Sequence, residues 1–257
     1  PLLSVVSPSA FALALLLAVA LQAVLDTTPA TAGEAKAVFV PSGTNEFAFD
    51  TGVLRGTLRA KGRSMGLSSV VHLPSGMALD RSMGLFSHYR VFSANQRHST
   101  AGWDWPSTAQ LQPNGSVEVN WPAAADRPFE LRAIYRWAAP NTLDVETLVK
   151  PQIKLASFES FLACYFQTNF TNSLVYVSEL PGRPGNAGFM AAEQKHGTWL
   201  AFPRDAVAAA LVQDGRWKFP PNPVEWVAMP RLAKPLSIRR DPASGLTAVL
   251  MSPPEDC

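Results

Sequence analysis

The stretch Phe129-Glu130-Leu131-Arg132-Ala133-Ile134-Tyr135-Arg136-Trp137 decides the fold class, because it repeats with period two. Successive side chains of a strand point to opposite faces, so Phe129, Leu131, Ala133, Tyr135 and Trp137 share one side and Glu130, Arg132 and Arg136 the other. A helix would scatter the same residues around its axis. Upstream, Ser116–Trp121 places Val117, Val119 and Trp121 on one face directly after Pro113-Asn114-Gly115, and Asn-Gly is a strong hairpin signal. Downstream, the turn Ala139-Pro140-Asn141 leads into Thr142–Val149, again with period two, and then to an apolar run from Phe158 to Phe166. Four strands joined by short turns with no helical pattern between them predict an antiparallel meander.

Shorter strands are expected at Phe47–Asp50, Gly56–Ala60, Ser69–Leu73 and Leu85–Phe92, with late ones at Leu236–Arg239 and Leu246–Met251. One short helix is expected near 205–213, started by Pro203 and Asp205 and stopped by Gly215. The chain's 22 prolines among 257 residues are incompatible with long helices. The expected fold is therefore all-β, a large antiparallel β-sandwich with one helix.

Charge excludes some functions. Lys and Arg total 22 against 20 for Asp and Glu, a net charge of +2, which offers no electrostatic footprint for nucleic acid or an anionic membrane surface. Residues Phe11–Leu25 form an apolar run broken only by Gln22, followed by polar Asp26-Thr27-Thr28-Pro29 and small Ala30-Thr31-Ala32. This is the order of a secretory signal peptide, and roughly 15 apolar residues fall short of the ~18 to 20 that cross a bilayer. The expected organisation is a signal at 1–32 and one β-sandwich domain at 33–257, cut at both ends, in an exported protein: periplasmic, cell-surface or extracellular. No membrane partner is expected beyond the export signal, and the oligomeric state is open.

The densest cluster of chemically capable residues is His88-Tyr89-Arg90, Asn95-Gln96-Arg97-His98 and Trp103-Asp104-Trp105. Sugar rings have apolar C–H faces and polar edges, so flat aromatics mixed with His, Arg and carboxylates form a saccharide-site composition. Arg90, Arg97, Trp103, Asp104 and Trp105 are the candidate substrate-binding residues. Each also has a plainer reading, with the tryptophans in the core and His88 a structural histidine. His98 and Glu159 can be surface or paired groups, and Tyr135, Tyr165 and Trp121 core aromatics. The four histidines, His72, His88, His98 and His196, lack metal-ligand spacing, and neither a phosphate loop nor a Gly-x-Ser-x-Gly elbow occurs; no metal or cofactor is expected. Cys164 reads as a small buried hydrophobe, with a disulfide to Cys257 as the other possibility.

The alternating strand ending in Tyr135-Arg136-Trp137, the strand Leu143-Asp144-Val145-Glu146 and the run Phe158-Glu159-Ser160-Phe161 together resemble the central strands of the galactose-mutarotase-like supersandwich. The likeness spans residues 40 to 257 and includes no catalytic motif of any one family. In wording the chain is similar to exported bacterial proteins, a likeness that implies no activity. In mutarotases of this fold a His serves as acid and a Glu as base, which implies His98 or His88 in the first role and Glu159 or Glu146 in the second. The expected function is binding or processing of a saccharide on a concave sheet face. The alternative is a structural or protein-interaction sandwich of the cell envelope.

Overall fold

The computed structural model describes residues 38–62, 65–94 and 96–253. The segment expected to be a signal, residues 1–32, lies outside the described residues, as do Asn95 and Cys257. The described chain is all-β, built from antiparallel sheets, with one short helix and one parallel pair of two-residue strands.

The first sheet is a five-stranded meander: β1 (Phe39–Gly43), β2 (Glu46–Asp50), β3 (Leu54–Arg59), β4 (Gly66–His72) and β5 (Met77–Ala78). Two short strands follow, β6 (Ser87–Ser93) and β7 (Gln96–Arg97), which pair with each other. Next comes the sheet that the sequence announces most clearly, in the order β11-β10-β9-β8, from β8 (Thr108–Leu111), β9 (Val117–Trp121), β10 (Phe129–Ala139) and β11 (Thr142–Pro151). The turn before β9 uses its Asn-Gly pair as expected. Gly115 adopts φ +82, and the Asn114 side-chain oxygen accepts from the Ser116 backbone N–H at 3.0 Å.

Alternation becomes burial along β10, where Phe129, Leu131, Ala133, Tyr135 and Trp137 are all buried. Register stacks them beside β9, with Leu131 opposite Trp121, Ala133 opposite Val119 and Tyr135 opposite Val117. The first sheet closes over this face. Trp137 lies 4.9 Å from Phe49 and 6.0 Å from Phe39, centroid to centroid, so the aromatics of two sheets form one core. Each such side chain contributes about 1.5–3 kcal/mol by leaving water, and the two stacked sheets make the sandwich.

The run after β11 departs from the expected meander. Strand β12 (Glu159–Ala163) leaves β11 and pairs antiparallel with β6, so the third sheet has the order β12-β6-β7. Apolar side chains on both of its sides explain this. Phe161 packs on Trp217, whereas the neighbouring Phe158 joins the main core against Phe129 at 5.3 Å. A strand beside β11 would leave one of those sides in water.

The C-terminal part adds the sheet β14-β13-β17-β18 over a smaller core of Val175, Val177 and Met190. Its strands are β13 (Asn172–Val177), β14 (Gly188–Ala191), β17 (Leu232–Arg240) and β18 (Thr247–Met251). Strands β15 (Leu200–Ala201) and β16 (Val227–Ala228) form the parallel pair. Helix α1 (Ala206–Gln213) sits where Asp205 predicts it, with the Asp205 carboxylate accepting from the Ala208 N–H at 2.8 Å as an N-cap. It buries no residue, so it is a surface element.

Candidate functional site

Strand β6 carries the site because of one extra residue. Arg90 faces Phe161 across the β12 ladder and His88 faces Leu162, so Tyr89 has no partner of its own. A bulge of this kind re-aims the side chains on either side of it. His88 and Val91, three residues apart, both enter the sandwich core, whereas Arg90 and Phe92 point the other way, toward segment 214–226. Simple parity puts His88 and Arg90 on one face, and the bulge separates them.

The two histidines are on the core side. His88 is fully buried beside Trp121, at 5.2 Å, and shares a 3.0 Å hydrogen bond with the Thr147 hydroxyl through Nε2. Burial pulls its pKa down to about 4, so it is neutral near pH 7. His98, expected in a polar loop, is buried as well. Its Nε2 meets the Ser93 hydroxyl at 2.8 Å, its Nδ1 meets the Asp126 carbonyl at 3.0 Å, and its ring stands edge-on to Phe129. Both ring nitrogens are thus engaged.

Glu159 is on the opposite face of the same sheet, in register with Phe92. Its carboxylate lies 3.4 Å from the buried Arg216 guanidinium, which also pairs with Asp214 at 2.9 Å. Burial raises the Glu159 pKa, and Arg216 opposes that rise. The sheet therefore stands between Glu159 and the two histidines. The alternative base, Glu146, is exposed on the outer face of the β8–β11 sheet, opposite Ile134, beside a 440 Å³ groove that also includes Glu118 and Arg136. It is separated from His98 by the sheet.

Trp103 and Trp105 belong to a 3-10 turn, Gly102–Asp104, and its exit, and both are buried. Trp103 stacks on Tyr89 at 4.6 Å with the rings 14° apart, and Trp105 packs against Phe129 with the Arg127 guanidinium over its face at 4.6 Å. Neither ring is free to take a sugar. Asp104 is exposed, and its carboxylate accepts from the Thr100 hydroxyl.

The remaining two residues of the expected set do meet. Arg90 is buried between the rings of Tyr89 (4.8 Å) and Trp217 (5.2 Å), and its Nη2 donates to the Asn222 carbonyl at 2.8 Å and to the Tyr89 hydroxyl at 3.2 Å. Arg97 faces Phe92 across the β6–β7 ladder, on the Arg90 side. It donates to the carbonyls of Pro221 (2.7 Å), Phe219 (3.3 Å) and Thr100. Two arginines thus tie down the loop 219–222.

An aromatic series that sequence reasoning missed continues from there. Phe161 and Phe92 each contact Trp217 at 5.1 and 5.0 Å, Trp217 meets Trp226 edge-on at 5.1 Å, and Trp226 meets Trp199 at 6.1 Å. Trp199 ends the series at the surface, 50% exposed. Register explains the last contact, because Trp199 and Trp226 immediately precede Leu200 and Val227, the first paired residues of β15 and β16. The sequence signal available was the unusual crowding of Trp199, Trp217 and Trp226 into one proline-rich stretch.

Among the described residues no group of three His, Cys, Asp or Glu side chains could hold a metal ion, and no helix is long and apolar enough to cross a membrane. Cys164 is partly buried, its sulfur accepting from the Phe86 N–H at 3.3 Å, and burial pushes its thiol pKa up to about 12. Comparison of the chain with known protein families, curated proteins and solved structures gives no match.

Proposed function

We propose that the protein binds a saccharide, without turning it over, on the surface formed by Trp199, Trp226 and the loop that Arg90 and Arg97 hold. The observation that carries this reading is the half-exposed Trp199 standing on Trp226, which stands on Trp217. Leaving a large aromatic in water forgoes burial energy, and buttressing it edge-on fixes a flat apolar face at the surface. A sugar ring offers a matching C–H face.

Binding is favoured over catalysis because the proton-transfer groups are occupied. His98 has both nitrogens engaged, His88 is neutral inside the core, and Glu159 is held by Arg216 on the other side of the sheet. General acid–base work needs a pair within reach of one substrate. The reading includes export, for which Phe11–Ala32 supply the sequence argument, and kinship with the galactose-mutarotase-like sandwich at the level of fold.

A glycan-binding screen on the full chain tests this. The expected result is retention of at least one saccharide by the wild type and its loss in Trp199→Ala. Failure to retain any glycan, or equal binding by the variant, would remove the reading.

A further inference from the structure

Around segment 216–226, several buried polar atoms have no partner among the described residues: Arg90 Nε and Nη1, Arg97 Nε, and the indole nitrogens of Trp217 and Trp226. All of them are donors. Buried donors normally find acceptors, and a buried cation normally finds an anion. Here Arg90 is 4% exposed, yet no described Asp or Glu forms an ion pair with Arg90 or Arg97. The one carboxylate that strand register brings to this face, Glu159, is engaged with Arg216. The rings of Tyr89 and Trp217 compensate the Arg90 charge only in part.

Both guanidiniums lie on the same face of β6 and β7, and both reach the same loop through its carbonyls. Arg97 is pushed below its ordinary pKa by burial and then by the neighbouring Arg90 cation, with Tyr89 opposing the shift, so the two like charges repel. What this corner lacks is a negatively charged acceptor. The planar fork of a guanidinium matches a carboxylate, and charge-assisted bonds of this kind are the strong ones.

We infer that the saccharide is acidic, with Arg90 and Arg97 holding the carboxylate of a uronic-acid residue; this rests on the saccharide reading of the Trp199 surface. Arg97, partly exposed, is the arm that solvent reaches, and Arg90 lies behind it. The ring carrying the carboxylate would then extend along the loop toward Trp226 and Trp199.

The test is calorimetric titration of the full chain with short oligomers of galacturonate, glucuronate, mannuronate and guluronate, each beside its neutral hexose counterpart, and with poly-glutamate as a non-sugar polyanion. The expected result is that at least one uronate oligomer binds about tenfold more tightly than its neutral counterpart, with binding weakened by salt. That preference should fall below about twofold in Arg97→Gln and partly recover in Arg97→Lys, each variant being checked for native circular dichroism. Equal affinity for acidic and neutral oligomers would overturn the acidic ligand and leave the saccharide reading standing. Binding of poly-glutamate as tight as that of the best uronate would overturn the saccharide reading, and no binding by any oligomer would overturn both.

Discussion

The guanidinium of Arg216 is completely buried and lies 3.4 Å from the carboxylate of Glu159, joining segment 214–218 to strand β12. Arg216 also donates to the Ser157 carbonyl at 2.8 Å. Removing the arginine leaves two partly exposed carboxylates, Glu159 and Asp214, and the Ser157 carbonyl without their donor, and empties the buried space that the guanidinium fills. Arg216→Ala should therefore lower stability by about 1–3 kcal/mol, mostly through lost packing and hydrogen bonds, read as a fall in the urea midpoint at an unchanged slope. A smaller loss is expected for Glu159→Gln, because Asp214 continues to pair with Arg216.

His88 makes stability depend on pH in a defined direction. Its folded-state pKa of about 4 lies below the ordinary 6.5, so between these values the unfolded chain binds more protons than the folded one. The stability due to neutral His88 is fully present above pH 6.5 and is lost as pH falls toward 4, by about 3 kcal/mol. The pH profile of the unfolding free energy should show this slope for the wild type and flatten between pH 6.5 and 4 in His88→Gln. A His88 NMR titration with its midpoint near 6.5 would refute the assignment.

Gly102 opens the turn that carries Trp103 and Asp104, and a Cβ there would sit 2.4 Å from the His88 carbonyl oxygen. The obstacle is backbone of β6, which cannot swing aside as a flexible side chain does. Gly102→Ala should cost about 1–3 kcal/mol through overpacking, measured by thermal unfolding. The same substitution at Gly182, where no atom lies within 4 Å of the built Cβ, tests φ +74 alone and should cost less.

Much of the fold is legible in the sequence where one face of a strand meets the core and the other meets water. Strand β10 is the clearest case, and the Asn114-Gly115 turn and the Asp205 cap are local signals that tertiary structure leaves intact. Strand β12 leaves the expected meander because adjacent apolar residues on two faces say nothing about which neighbour they choose. The candidate site was half legible. Arg90 and Arg97 do come together on one loop, but the bulge at Tyr89 puts His88 on the other side, and a 3-10 turn brings Trp103 and Trp105 into the core, their plainer reading. Trp199, Trp217 and Trp226 escaped because irregular, proline-broken chain has no period from which to read a face.

The most direct measurement is hydrogen–deuterium exchange on the full chain with and without the tightest-binding saccharide. Ligand-dependent protection should concentrate at residues 197–202 and 217–228, with the amides of β6 and β7 slowed beside them. Protection confined to the outer face of the β8–β11 sheet, around Glu118 and Glu146, would contradict a site built on Trp199, Arg90 and Arg97.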